Sequence, residues 1–290
     1  SKQLLVLCVA VCLAACQPDP GPGFDTPVRP QGDQVVLGGE LTLDGSFDNI
    51  FSRRRSVQRS ARRPLIGLFE VTKGSDFFPE RTVTYFPLGA GFSARKCERK
   101  GSGCPGQPKM VEVLSQAGID AVGLAAPGVA AGGDGVAEET ASLVEADRIC
   151  ATGHPGADPC RFRLGESTLG VVSVSAAGDG GVDQAVQRAA TQIAQARGNG
   201  ADVVLLSVAL DPQASPADRR AALTKISDQT EPTATVGHFD GPFEGLELVN
   251  GRLVVLNPGS AVTRGEPDKN RKLAFLFRLH FDGQGLGWAE

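Results

Sequence analysis

Imidazole is scarce in this chain. Its 290 residues include three histidines, His154, His238 and His280, beside one Tyr, one Trp and one Met. Any site that needs several imidazoles must draw on nearly all of them. Positive charge is short as well: 29 Lys and Arg stand against 33 Asp and Glu, a formal net charge of -4. That balance gives no support for nucleic-acid binding, which usually needs a strongly basic face. The cysteines contain no C-x-x-C pair, the spacing of many structural zinc sites. The apolar stretch from Leu4 to Ala15 falls short of the about 20 residues a membrane-spanning helix needs.

Hydrophobic residues make up 41% of the chain, enough for one large domain or two small ones, and 37 Gly with 19 Pro imply many connections between short elements. The first 15 residues read as a targeting segment, with Lys2 ahead of the apolar stretch. "LAAC", Leu13 to Cys16, resembles a bacterial lipobox, which implies cleavage before Cys16 and its lipidation. An ordinary secretory signal with chance cysteines is the alternative. Residues 16–33, containing "QPDPGPGFDTPVRPQG", form a Pro/Gly-rich, semi-rigid linker. Residues 34–290 form the domain. Gln17 rather than Asp after the cysteine resembles outer-membrane lipoproteins. The expected location is thus the bacterial cell envelope, at the periplasmic face of the outer membrane.

Export changes how the cysteines read. Cys97, Cys104, Cys150 and Cys160 remain after Cys8 and Cys12 leave and Cys16 is lipidated. An even number in an oxidising compartment favours disulfides over zinc. Of three connectivities, the short loops favour Cys97–Cys104 and Cys150–Cys160.

From Gln34 strand-like and helix-like segments alternate. "QVVLGGELTL" and "PLIGLFEV" read as strands, and residues 74–108 as loop-rich. "SFDNIFSRRRSVQRSARR" is a basic amphipathic helix, either a solvated face or a contact for lipid head groups or an anionic substrate. "KMVEVLSQAG", "DGVAEETASLVEA", "DQAVQRAATQIAQARGNG" and "SPADRRAALTKI" are further helices. "IDAVGLAAPG", "ADVVLLSVAL" and "TATVGHF" contain strands. "RFRLGESTLGVVSVS" and "LELVNGRLVVLN" read as hairpins, the second turning at Asn250-Gly251. "KLAFLFRLHFDGQG" is a late antiparallel strand. Helices around two sheets follow from this order.

The order, and above all "ADVVLLSVAL…TATVGHFDGPFEGLELVNGRLVVLNPGS", resembles the calcineurin-like metallophosphoesterases. It is most similar to the catalytic domain of periplasmic 5′-nucleotidases, with capsule-synthesis metallophosphatases as the rival family. The resemblance implies an α/β fold, a four-layer α-β-β-α sandwich of metallophosphoesterase type. It also implies two metal ions held by carboxylates, histidines and an asparagine. The family's motif positions fall on Glu40 in "LGGEL", on Glu70 in "GLFEV", on Ala125, Ala126 and Pro127 in "GLAAPG", on Val208 in "LLSVAL", and on Gly237-His238-Phe239-Asp240 in place of Gly-His-x-His. Ala and Val carry no lone pair for a metal, so the histidine-rich dinuclear centre cannot be assembled.

These residues imply an exported lipoprotein with a degraded 5′-nucleotidase-like domain. It would act as a non-catalytic binding or scaffolding component, with no cofactor expected, a membrane partner through its anchor and an envelope protein as a further partner. A small-molecule binder that keeps a phosphate pocket is a related reading. The enzyme alternative is a phosphoesterase with a mononuclear divalent site (Mn, Zn or Ca) built from Glu40, Glu70, His238 and Asp240. On the non-catalytic reading His238 is a backbone-bonded histidine in a tight loop, whose replacement costs about 1 kcal/mol.

Overall fold

The computed structural model divides the chain into two compact units, Ser1–Gln31 and Gly32–Glu290. The structure describes residues 33–38, 40–41, 82–87, 119–125, 149–153, 156–177, 180–239, 244–258, 260–262, 276–282 and 285–289, all in the second unit. Cys16, Cys97, Cys104, Glu70, Asp240 and His154 lie outside the described residues, as do the helices expected over 46–63, 109–118 and 134–146.

The first sheet contains β1 (Asp33–Gly38), β3 (Thr82–Pro87), β4 (Ala121–Gly123), β5 (Cys150–Thr152), β13 (Leu276–Asp282) and β14 (Gly285–Ala289). Their spatial order is β14-β13-β1-β3-β4-β5. Strands β1, β3, β4 and β5 run parallel; β13 pairs antiparallel with β1, and β14 antiparallel with β13, at one side. The second sheet contains β6 (Cys160–Leu164), β7 (Ser167–Ser175), β8 (Val203–Ala209), β9 (Ala234–His238), β10 (Gly245–Val249) and β11 (Arg252–Leu256), in the order β10-β11-β9-β8-β7-β6. Its centre is again parallel, with antiparallel β6 and β10 at the two edges. A small two-stranded sheet pairs β2 (Glu40–Leu41) with β12 (Ser260–Val262), which sets Glu40 level with Ser260.

Alternation along the strands separates two cores. Leu169, Val171, Val203, Leu205, Ala234, Val236, Leu253 and Val255 face the first sheet and pack with Val83, Tyr85, Ala121 and Leu279. Their neighbours Val172, Val174, Val204, Leu206, Val208 and Val254 face the other way. There they meet Ala185, Ala189, Ile193 and Ala196 of α1 (Gly181–Gly198) and Leu223 and Ile226 of α2 (Pro216–Thr230). Strands buried on both faces explain the unbroken apolar run "VVLLSVA". The chain is a mixed α/β sandwich: sheet on sheet, with helices outside the second sheet.

The helices and turns follow their local signals. Ser215 caps α2, accepting from the Asp218 amide at 3.2 Å and donating to the Asp218 carboxylate at 2.7 Å, with Pro216 next. Asn250 and Gly251 both have positive φ, 50° and 77°, as a two-residue hairpin turn demands.

One strand differs from expectation. The strand that pairs parallel with β1 is Thr82–Pro87, inside the stretch read as loop-rich, while "PLIGLFEV" lies outside the described residues. Between β1 and β4 the sheet has room for β3 alone. Thr84 anchors it: its amide and hydroxyl each donate to the Asp120 carboxylate at 2.8 Å, and the Asp120 amide returns to the Thr84 hydroxyl at 3.1 Å.

Candidate functional site at the carboxyl ends of the strands

In open parallel sheets ligands collect beyond the carboxyl ends of the strands. The second sheet ends there in a row set by register. Ser175, Ala209 and His238 are level, and Ser173, Ser207 and Val236 lie one layer below. All six share the parity of Val171, Leu205 and Ala234, so they face the first sheet.

His238 ends β9 and is completely buried. Its carbonyl accepts from the Leu210 amide at 2.8 Å. Beside it Asn257, also completely buried and at φ 43°, donates its amide to the Gly237 carbonyl at 2.9 Å. The Asn257 side-chain oxygen receives the Phe239 amide at 3.4 Å. The end of β9 is thereby tied to β8 on one side and to the end of β11 on the other.

Val208 was the expected counterpart of the family's strand histidine. The structure turns it away: Val208 packs in the outer core beneath the helices. The residue level with His238 is Ala209, completely apolar and 1% exposed. A period-two strand reverses every assignment when its alignment slips by one residue, which accounts for the correction. Ala125, after β4, is buried as well, next to Gly153 and Ser173. Glu40 stands on β2; Glu70 and Asp240 lie outside the described residues.

The sequence reading missed what fills the space between the sheets. Tyr85 of β3 is completely buried among residues of both sheets. Its hydroxyl sits over Gly123, so close that any β-carbon there would collide with it. It faces the hydroxyls of Ser173 and Ser207, yet none of the three makes a hydrogen bond of ordinary geometry among the described residues. Burial pushes the Tyr85 phenol up to about 12, against the opposing pull of Ser207 and Ser173. Thr152 adds a fourth buried hydroxyl. A polar residue interrupting runs such as "VVSVS" and "LLSVA" was the available signal, because strands covered on both faces seldom spend inward positions on hydroxyls.

The described residues alone do not supply the donors of a dinuclear metal centre, and Glu70 and Asp240 lie outside them. Divalent ions on such sites need carboxylates or imidazoles. The described strand ends offer one imidazole, the Asn257 side-chain amide, neutral hydroxyls, a phenol held in its protonated form by burial, and methyl groups. Among the described residues no group of three or more His, Cys, Asp or Glu comes together.

One side chain links the end of β9 to the start of β10. Arg219 of α2 is buried, with its guanidinium 4.1 Å from the centre of the Phe239 ring. It donates to the Ala214 carbonyl and to the Glu244 carboxylate. A single cation thus bridges Phe239, just after β9, and Glu244, just before β10. An open pocket of about 430 Å³ lies at the opposite end of the second sheet, near Asp158, Arg161, Asn199 and Ala201. Its polar groups already serve the fold: Asp158 accepts from Gln195 at 2.6 Å, and Arg161 donates to the Asn199 carbonyl at 2.8 Å.

Cys150 and Cys160 form a disulfide that joins β5, the edge of the first sheet, to β6, the edge of the second.

No family model and no curated protein matches this chain. Solved structures do, at the level of fold. A "hypothetical protein" from Thermus thermophilus aligns over 89% of this chain and 97% of its own, with TM-score 0.54 and 14% identity. A "Putative 5′-Nucleotidase" from Staphylococcus aureus aligns over 89% of this chain with TM-score 0.52 and 12% identity; this chain spans 54% of that one. A "novel phosphatase" from Mycoplasma pneumoniae aligns over 89% and 92%, with TM-score 0.50 and 8% identity. The α/β sandwich seen here is the fold shared with these phosphoesterase-like structures.

Proposed function

We propose that this chain is an exported, lipid-anchored envelope protein whose phosphoesterase-like domain binds or scaffolds and does not hydrolyse. The observation that carries the reading is the filling of the strand ends. Tyr85, Ser173, Ser207, Ala209 and Ala125 occupy the positions between the sheets with neutral hydroxyls and methyl groups. A phosphoryl group brought there would meet a buried phenol and no fixed positive charge among the described residues. Binding would then use outer surfaces, held at the membrane by the anchor on Cys16.

The enzyme alternative has its own support. His238 ends a central strand on the inter-sheet side, and Arg219 bridges Phe239, just after that strand, and Glu244. A single divalent ion on His238, Asp240, Glu40 and Glu70 would be the centre of that alternative. One experiment separates the two. The purified full chain is analysed for Mn, Zn and Ca and assayed on a generic phosphodiester with each metal added. No stoichiometric metal and no turnover above buffer is the expected result. Turnover that disappears in His238→Ala would establish the alternative.

A further inference from the structure

Strand β10 ends the second sheet, and among the described residues nothing pairs with its outer side. Among the described residues it also carries the large exposed apolar side chains: Leu246 is 43% exposed and Leu248 75%. We infer that β10 pairs antiparallel with β10 of a second copy of this chain about a two-fold axis through Glu247, joining the two second sheets into one.

The hydrogen-bond parity of the hairpin leads to this register. In a two-residue hairpin the closing pair, Val249 and Arg252, is hydrogen-bonded. Counting back, Glu247 and Gly245 also direct their N–H and C=O groups at β11, opposite Val254 and Leu256. Leu246 and Leu248 therefore direct theirs outward. An axis through Glu247 sets Leu246 opposite Leu248 of the second copy, and the reverse, so all four outward groups of each strand find partners. The same operation brings four leucines together on one face of the joined sheet, where cross-strand apolar pairs stabilise.

On the other face the axis sets the two Glu247 carboxylates opposite each other, which alone would oppose pairing. Arg220 removes that obstacle. Its guanidinium lies 2.6 Å from the Glu247 carboxylate on the helix side of the sheet, and it is 57% exposed. Arginine has five N–H donors. One carboxylate leaves some unused, and two copies alternate guanidinium and carboxylate across the axis. Backbone, apolar face and charged face are each self-complementary under one symmetry operation, as an isologous dimer requires.

The test is sedimentation of the full chain over a concentration series, with folding followed by circular dichroism. A concentration-dependent dimer is expected. Leu246→Lys with Leu248→Lys should weaken it at least about ten-fold, since lysine on an edge strand opposes pairing, and should leave the spectrum unchanged. Monomer at every concentration, or a dimer indifferent to the double substitution, would overturn the inference. Register is tested separately by oxidation. Glu247→Cys places two thiols on the axis, in a non-hydrogen-bonded pair about 4.5 Å apart between α-carbons, within disulfide reach. Leu248→Cys offsets them by two residues each way. Peptide mapping should find an intermolecular disulfide at the substituted position in Glu247→Cys and none there in Leu248→Cys. The converse result, or no link in either variant, refutes the register.

Discussion

Tyr85 is the chain's single tyrosine, so its burial can be titrated without interference. Burial favours the neutral phenol and raises its pKa from near 10 to about 12. A folded-state pKa above the unfolded one gives stability that is full below pH 10 and lost as pH rises through about 12. Ionising this phenol in the folded protein therefore costs roughly 3 kcal/mol more than in the unfolded chain. Phenolate absorbance should therefore appear near pH 12, or together with alkaline unfolding, and not near pH 10. Tyr85→Phe should remove most of this alkaline sensitivity and change stability at neutral pH by less than about 1 kcal/mol, because the hydroxyl makes no ordinary hydrogen bond among the described residues. A phenolate transition near 10 in the folded protein would contradict the buried placement. His238 needs a larger figure than its sequence suggested. As a loop residue it would cost about 1 kcal/mol to replace. As a completely buried side chain at the end of β9, its truncation leaves a cavity, and His238→Ala should cost about 2–4 kcal/mol. A calorimetric loss below 1 kcal/mol would show that the residue is not packed there.

At the scale of elements, the Cys150–Cys160 link does more than close its own loop. It joins the edge strands β5 and β6, so it fastens one sheet to the other at the open side of the sandwich. A loop of this length stabilises by roughly 3 kcal/mol in the chain-entropy account. Replacing both cysteines by alanine should lower stability by about 2–3 kcal/mol in urea and make the transition no less steep, because the unlinked denatured chain exposes more surface. Short loops pointed to this pair before the structure did. The hairpins β6–β7 and β10–β11, the apolar β8 and the capped α2 were legible for similar reasons: each carries its signal within a few residues. Strand β3 was not. "TVTYFP" is short, ends in proline and stands in a stretch rich in Gly, Pro and charge; its parallel pairing with β1 rests on contacts distant in sequence. The candidate site was legible only in part. "Gly-His" marked the end of β9, and a serine inside an apolar run marked Ser173 and Ser207, whereas Tyr85 comes from a third strand with no signature linking it to them.

The whole molecule joins two regions of different physics. A sandwich with its own core occupies Gly32–Glu290, and ahead of it stands a segment whose sequence, not its packing, suggests a role. The proposal that the chain acts at a membrane rests on Cys16 after "LAA" and on the Pro/Gly-rich stretch that follows. Electrostatics adds a second term. The formal charge of -4 gives the chain no general attraction to anionic lipid, but the arginines of "SFDNIFSRRRSVQRSARR" concentrate positive charge in one segment. Lipid attachment with a basic patch holds a protein far better than either alone. Cys16→Ser should therefore move the protein from the membrane fraction to the soluble periplasmic fraction, with residual binding that fades as salt is raised. Replacing the arginines while keeping Cys16 should leave the protein on the membrane. Metabolic labelling with a radioactive fatty acid should mark the parent chain and not Cys16→Ser. Labelling that survives the substitution, or unchanged fractionation of Cys16→Ser in high salt, would remove the anchor from this account and leave a sandwich that reaches its partners through solution.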